Sequence, residues 1–480
     1  MKRLHVFVAL VAALYLGFLP KAWPQAGPDL AQLVARLPYG QGRAEVGIGW
    51  GDGEGPPESI TTLAVDDVGR FYLADSVNQA IKRFSHSGAF ELATQGRIGL
   101  MGPTLAVDDH DFIYAADEEE ALIRFDGATG KPLWTVTFGG KRLTKHPDAR
   151  EVLSPEARAD IERTWAISIV ASTPISELQR ASDGRVLCGL SYRVPGEPFC
   201  RWPPLWLALD DDGALDRVLP PGTSGLLPDG RPYEFRHADS TPGRLAFALP
   251  GSPTSEALAV ELQPPLPGKP YEVRMDAHGD VWVRPVMSEP RSVQPSVHQA
   301  AIVVANNVVY RKYTRHGAII GEWHLTNPAV PSLFGSAIDP AGNLWHLRFR
   351  EDALEVIEYS GDPKVAQGRM VWELWSDVSP AGPLVALAEA AQATGATLDW
   401  DGAAGHAALR SAGRTFLFDL RAGLVRSPQG APLAPVAMEI REGRVWAQAD
   451  ALRDICGLPV YATSGGRLVY AVIPAQPNQP

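Results

Sequence analysis

Short runs of alternating apolar and polar residues recur along the chain, each broken by an Asp and, three residues later, a Gly. The clearest are LAVDDVGRFYLAD (Leu63 to Asp75), LAVDDHDFIYAAD (Leu105 to Asp117), VRMDAHGDVWVR (Val273 to Arg284) and SAIDPAGNLWHLR (Ser336 to Arg348). Two weaker copies, ASDGRVLCGL (Ala181 to Leu190) and STPGRLAFAL (Ser240 to Leu249), lie between them. In the first copy Leu63 and Val65 flank Ala64, and Phe71 and Leu73 flank Tyr72, which is the two-residue period of a strand. Asp66 is placed to accept hydrogen bonds from the turn amides, and Gly69 to take the positive φ of the reversal. Asp111 stands where the second copy needs a Gly, and Asp tolerates the left-handed region better than most residues. Asp66, Gly69, Asp108, Asp276, Gly279, Asp339 and Gly342 are therefore expected to be turn residues.

Counting turns at Gly69, Asp111, Gly184, Gly243, Gly279 and Gly342 predicts a mainly β chain built as a six-bladed β-propeller. The gaps between turns differ because of insertions. The longest, Lys141 to Trp165, opens a charged helix at Ser154–Pro155. Pro- and Gly-rich loops fill Pro195 to Pro204, Pro220 to Pro232 and Pro264 to Pro270, and PVMSEPRSVQPSVHQAA follows the fifth copy. Long loops on a rigid scaffold are places for binding as much as for decoration.

The pattern changes after Asp377. Leu384, Leu387, Ala388 and Ala391 form an apolar helical stripe, Gly395 sits at a C′ position, and a strand follows through Leu398. A second pass repeats the order with Val445 and Trp446, a helix bearing Leu452 and Ile455, Gly457, and a strand at Val460 and Tyr461. This predicts a small C-terminal α+β domain, expected to stay folded when a blade is deleted.

Two resemblances follow from these residues. The first repeat, with Gly55, Pro56, Asp66, Gly69, Tyr72, Asp75, Asn78, Ile81 and Phe84, resembles the NHL-repeat propellers. The second keeps Gly102, Pro103, Asp108, Tyr114, Asp117, Ile123 and Phe125, with Glu120 in place of the Asn. That resemblance implies a closed ring whose loops bind protein, nucleic acid or small molecules. The C-terminal segment, through Pro383, Leu384, Leu387, Ala388, Gly395, Ala396, Leu398, Trp400 and Asp401, resembles the stalk domain at the N-terminus of copper amine oxidases. Ala386 or a neighbour replaces that family's Arg, and the segment holds a single histidine, His406. The chain has no His–x–His pair for the copper chemistry, so the resemblance implies a non-catalytic adhesion or assembly module.

Composition sets the partners and the compartment. The formal charge of −11 carries no Lys/Arg cluster that would track a phosphate backbone, which disfavours nucleic acid. Lys2 and Arg3 precede an apolar run from Leu4 to Leu19, closed by Pro20, with Ala22 and Ala26 as small residues for cleavage. This is the pattern of a secretory signal or an uncleaved N-terminal anchor, and it places the body outside the cytoplasm or at the cell surface. The chain has 3 cysteines and no CxxC pair. Cys188 and Cys200 flank a proline-containing turn that could bring them into a disulfide, and Cys456 reads as a buried thiol on a helix.

The boundaries expected are a signal or anchor (1–26), a linker (27–54), the propeller (55–376), the stalk-like domain (377–474) and a tail (475–480). No Gly–x–Ser–x–Gly elbow exists, and DGATGK (Asp126 to Lys131) has the spacing of a hairpin turn rather than a phosphate loop. His237, His278, His298 and His346 fall at unlike blade positions. GEGPPES resembles the opening of the gluconolactonase-type propellers, whose central cavity gathers Glu, Asn and Asp around a divalent cation. That resemblance makes Glu54, Glu58, Asn306 and Asn307 the candidate metal ligands. Two functions are thus expected: a non-catalytic envelope or secreted binding protein taking a protein or glycan ligand without a cofactor, or a divalent-metal propeller hydrolase.

Overall fold

In the computed structural model the described residues run from 30 to 474, excepting 49–59, 95–99, 118–120, 139–142, 171–174, 182–183, 198–199, 201–203, 228–229, 238–243, 249–255, 264–269, 277, 286–305, 328–335, 351, 367, 375, 380–381, 402–404, 442–443 and 464–467. The signal or anchor segment lies outside them. Among the described residues no helix is long and apolar enough to cross a membrane.

The chain is a six-bladed β-propeller with a small C-terminal α+β module. Blade 1 comprises Ile60–Val65, Phe71–Asp75, Ala80–Phe84 and Phe90–Ala93; blade 2 comprises Leu100–Val107, Ile113–Asp117, Leu122–Phe125 and Pro132–Thr137. Blade 3 is Ile175–Arg180, Val186–Leu190, Leu205–Leu209 and Leu215–Val218; blade 4 is Gly225–Leu226, Pro232–His237, Arg244–Ala248 and Glu256–Glu261. Blade 5 is Pro270–Met275, Val281–Pro285, Asn306–Tyr313 and Ile319–Asn327. Contacts between first strands run from blade 6 to 1, 1 to 2, 2 to 3 and 4 to 5, so these strands form the inner wall of the ring.

Blade 6 is assembled from both ends of the chain. Its first three strands are Ser336–Ile338, Leu344–Phe349 and Ala353–Tyr359. The fourth is β1 (Ala31–Pro38), antiparallel to Ala353–Tyr359 from Ala31↔Tyr359 to Pro38↔Ala353. This stretch falls in the segment expected to be a linker. Its apolar residues Val34, Ala35 and Leu37 pack with Leu354, Val356, Trp345 and Phe71 in one cluster, so closing the ring buries them. Where the other blades have a turn before their fourth strand, blade 6 has the bond from Ser360 N to Leu30 O at 3.0 Å.

The first turn repeats in five blades with the same two backbone bonds. In blade 1 Asp66 N donates to Arg70 O at 3.1 Å and Gly69 N to Asp66 O at 3.2 Å. The matching pairs in blades 5 and 6 are Asp276 with Asp280 and Gly279, and Asp339 with Asn343 and Gly342. Asp111 takes φ 66° in blade 2, where its Gly equivalents take positive φ. Blade 4 corrects the expected position: its turn is at Gly230, with Leu227 N to Arg231 O and Gly230 N to Leu227 O both at 2.8 Å. Gly243 belongs instead to the connection before the third strand and lies outside the described residues. A leucine in the Asp position hides this turn from the pattern.

Neighbouring blades are riveted by a cation on the third strand. Arg83 reaches Gly127 O, Arg124 reaches Asp211 O, and Lys312 Nζ donates to Gly361 O at 3.1 Å. Each acceptor is the second residue of the next blade's outer turn or its counterpart. In blades 2 and 6 that residue is Gly127 and Gly361, where a Cβ would lie 1.8 Å from Asp111 O and from Gly342 O.

The insertion after blade 2 carries α1 (Pro155–Trp165), capped as expected by Ser154, whose Oγ accepts from Ala157 N at 3.1 Å. DGATGK forms the outer turn of blade 2, with Asp126 Oδ1 accepting from Ala128 N and Thr129 N.

The C-terminal module consists of two similar passes. Strand Gly382–Ala386, helix α2 (Leu387–Ala393) and strand Thr397–Asp401 are matched by strand Arg444–Gln448, helix α3 (Ala449–Asp454) and strand Val460–Ala462. The two lead strands pair antiparallel at the centre of one sheet, Val385↔Ala447. Leu384 therefore lies on a strand and not on the expected helix, because Leu384 and Val385 are held in this ladder. Gly395 and Gly457 both take φ 70°, ending the helices where the pattern places them. The module also shares a sheet with the ring: Arg369–Leu374 pairs parallel with the outer strand of blade 5 and antiparallel with Val469–Pro474.

Candidate functional site: the inner wall and its charged turns

The inner strands bring charge to the centre of the ring. Glu177 on the first strand of blade 3 is buried and stands 3.7 Å from the Arg274 guanidinium on the first strand of blade 5. Arg180, at the end of the same strand, donates to Asp67 Oδ2 of the blade 1 turn at 2.8 Å. Each pair spans a whole intervening blade. Arg70, next to Asp67 across the turn, pairs with Asp66 at 2.6 Å and with Asp111 of blade 2. Asp109 N then donates to Gly184 O at 3.3 Å, joining the turns of blades 2 and 3.

The turn aspartates are engaged as expected. Asp66 Oδ1 accepts from Val68 N at 3.1 Å and Arg70 N at 2.9 Å; Asp108 Oδ1 accepts from His110 N and Phe112 N, both at 2.9 Å. Their other oxygens take the phenols of Tyr72 and Tyr114, each at 3.0 Å, and in blade 6 Asp339 Oδ2 takes the Trp345 indole N–H at 2.9 Å. Burial, then the facing aspartate, pushes both phenols well above the usual tyrosine range. Asp339 is raised by its burial against these donors.

Asp75 and Asn78 have a different task. Asp75 is fully buried and accepts from Gly47 N at 3.0 Å, Asn78 N at 3.0 Å, Asn78 Nδ2 at 2.7 Å and Lys82 Nζ at 3.1 Å. Asn78 Nδ2 also donates to Gly40 O at 3.1 Å, and Lys82 Nζ to Gly42 O at 3.1 Å. The repeat residues thus strap the loop that follows β1 over blade 1. In blade 2 the equivalent Asp117 holds His146 of the long insertion at 2.6 Å.

Of the candidate metal ligands, Asn306 and Asn307 are among the described residues. Glu54 and Glu58 lie outside the described residues; Glu58 precedes by two the residue that opens the inner strand of blade 1. Asn306 and Asn307 open the third strand of blade 5, paired with Asn327 and Thr326. Two strand spacings, about 10 Å, separate them from the inner wall. Among the described residues one group could offer three metal-ligand atoms, Asp108, Asp109 and His110. Asp108 is already saturated by its turn, and the other two are exposed. A serine–histidine contact exists where Ser336 Oγ lies 3.2 Å from His346 Nδ1, but His346 is 1% exposed within the wall of blade 6.

The cysteines are free. Cys188 is buried between blades 2 and 3, whereas Cys200 is exposed, so the structure does not form the expected disulfide. Burial pushes the Cys188 thiol up, and Cys456 up to about 12. Cys456 lies just past the end of α3, two residues beyond Asp454.

The rivets were missed in the pattern although a signal is present. Arg83–Phe84, Arg124–Phe125 and Lys312–Tyr313 are a cation followed by an aromatic at the end of a third strand. The channel pairs left no such trace, because their partners lie on different blades.

No family model matches the chain, and no curated protein matches it. Solved structures with some likeness include a gluconolactonase from Xanthomonas campestris (15% identity, TM-score 0.34, 71% of this chain and 99% of that one). A hydrazine synthase of Kuenenia stuttgartiensis aligns at 13% identity and TM-score 0.33, over 62% of this chain and 74% of that one. A putative gluconolactonase aligns at 14% identity and TM-score 0.32, over 72% and 95%. At these scores the architecture rests on the strand order and registers above.

Proposed function

We propose that the protein is a non-catalytic binding or scaffold protein, secreted or held in the cell envelope, with the propeller as recognition body and a stalk-like module attached to it. The observation that carries this reading is the pairing of charge across the ring. Glu177 faces Arg274 and Arg180 faces Asp67, while Asp66, Asp108 and Asp339 are engaged by their own turns. A cation site needs convergent carboxylate or amide oxygens without competing cations, and here arginines occupy that role. The strapped segments above blades 1 and 2 add surface for a protein or glycan ligand, and NHL-type repeats and a copper amine oxidase-like stalk fit an assembly role. The charged N-terminus and apolar run from Leu4 support export.

One observation favours a second reading, a divalent-metal hydrolase of lactonase type. Glu58 stands two residues before the inner strand of blade 1 in the chain. Elemental analysis of protein beginning near Gly27, followed by Ca, Mn and Zn titration with lactone hydrolysis as readout, separates the two. Metal-free folded protein with no hydrolysis on resupply, and saturable binding to an envelope extract, is the expected result. One tightly held divalent ion per chain, lost with activity in Glu54→Gln or Glu58→Gln, overturns it.

A further inference from the structure

Arg348 stands where three separate parts of the chain meet. It lies on the second strand of blade 6, is fully buried, and its Nε donates to Glu355 Oε2 at 2.8 Å. Nη2 of Arg348 lies 2.6 Å from the same oxygen, and Nη1 donates to Glu373 Oε1 at 2.8 Å. Glu373 belongs to Arg369–Leu374, the strand that joins the C-terminal module to blade 5. Its second oxygen accepts from Tyr359 Oη at 2.7 Å. On the other side, Glu355 Oε1 accepts from Arg36 Nη1 of β1 at 2.6 Å, and Glu355 Oε2 from Arg350 Nε at 3.1 Å. One chain of charge-assisted bonds therefore runs from the ring-closing strand through blade 6 into the module.

We infer that this network makes closure of the ring and docking of the C-terminal module a single event, so that release of β1 loosens the module's attachment. The physical ground is that Glu355 is shared between β1 and Arg348, and bonds in one buried charged network polarise one another. When β1 leaves, Glu355 loses Arg36 and draws harder on Arg348, which is the guanidinium that holds Glu373. Leu30, Ala31 and Leu33 share an apolar cluster with Val371, Tyr470 and Val472, which joins the same two parts of the chain. The module is then a reporter of an intact ring, and not the independent unit its sequence suggests.

The test is native-state hydrogen exchange on the full chain carrying Arg36→Leu, with amides of 31–38, 353–359, 369–374 and 469–474 followed separately. Exchange in all four segments is expected to rise together, about tenfold. A rise confined to 31–38 and 353–359, with the module strands at their wild-type rates, overturns the inference. Tyr359→Phe serves if Arg36→Leu does not fold, because it removes one bond to Glu373 and keeps the aromatic ring and the backbone pairing of this residue with Ala31. Faster exchange in 31–38 as well as 369–374 supports coupling, and an effect limited to 369–374 refutes it. Arg410→Leu removes an exposed pair with Asp399 and should leave every segment unchanged; a uniform rise there as well would also overturn the inference.

Discussion

Tyr72 donates its phenol hydrogen to Oδ2 of Asp66 at 3.0 Å, across the turn that opens blade 1. The same aspartate accepts from two turn amides through its other oxygen and pairs with Arg70, so one buried carboxylate fixes both the reversal and the aromatic that packs towards blade 2. Asp66→Ala leaves all of these donors short of an acceptor and should cost about 3 kcal/mol, whereas Tyr72→Phe removes one bond and should cost about 1 kcal/mol. Urea unfolding of both variants checks the ratio. Equal losses would mean that the turn amides do not depend on Asp66.

Gly361 has a counterpart in Gly127, and in both a Cβ would fall 1.8 Å from the carbonyl of the residue at the inner turn. Gly361→Ala and Gly127→Ala must push two turns apart and should each lower stability by about 2 kcal/mol or more. Thermal unfolding against wild type measures this. Unchanged midpoints would show that the turns separate freely.

Glu355 gives a pH dependence with a definite sign. Burial alone would raise its carboxyl, but the Arg348 and Arg350 guanidinium groups together outweigh burial and hold it below the usual value. A depressed carboxylate contributes stability at neutral pH and loses it as pH falls through the folded value. Wild-type stability should therefore drop as pH falls through and below the ordinary glutamate range. Glu355→Gln should start lower at pH 7, by about 3 kcal/mol, and follow a flatter curve in that acid window. Parallel curves for the two proteins would remove Glu355 from the acid response.

The three thiols should differ in reactivity. Cys200 is exposed and should react with an aromatic disulfide reagent in the folded protein, while Cys188 and Cys456 should react only in denaturant. One fast and two slow equivalents are the expected count. No fast equivalent, with a mass 2 Da below that of the reduced chain, would place Cys188 and Cys200 in a disulfide.

Much of the ring was legible along the chain because a β-hairpin is a local object. Asp66, Gly69, Asp276, Gly279, Asp339 and Gly342 mark turns whose donors and acceptors lie within a few residues of one another. Blade 4 escaped because Leu227 replaces the aspartate, so its turn at Gly230 keeps the backbone bonds and loses the side-chain signal. Asn306 and Asn307 attracted attention as paired amides, yet their distance from the channel depends on which strand of the blade they occupy, and alternation cannot report that.

By itself the sequence determined the number of blades, the chemistry of most turns, the cap of α1 and the doubled helix–Gly–strand order of the C-terminal module. These follow from φ preference, short-range hydrogen bonding and side-chain period, all of which act over about ten residues. Only the tertiary structure decided that β1 closes blade 6, that Asp75 and Asn78 hold the preceding loop, and that Arg348 binds carboxylates from two other strands. Among those contacts Arg36 and Glu355 are 319 positions apart, and Ala31 and Tyr359 are farther apart still. Such partners are selected by the closure of the ring, which brings the two ends of the propeller chain into one sheet and buries their charges together.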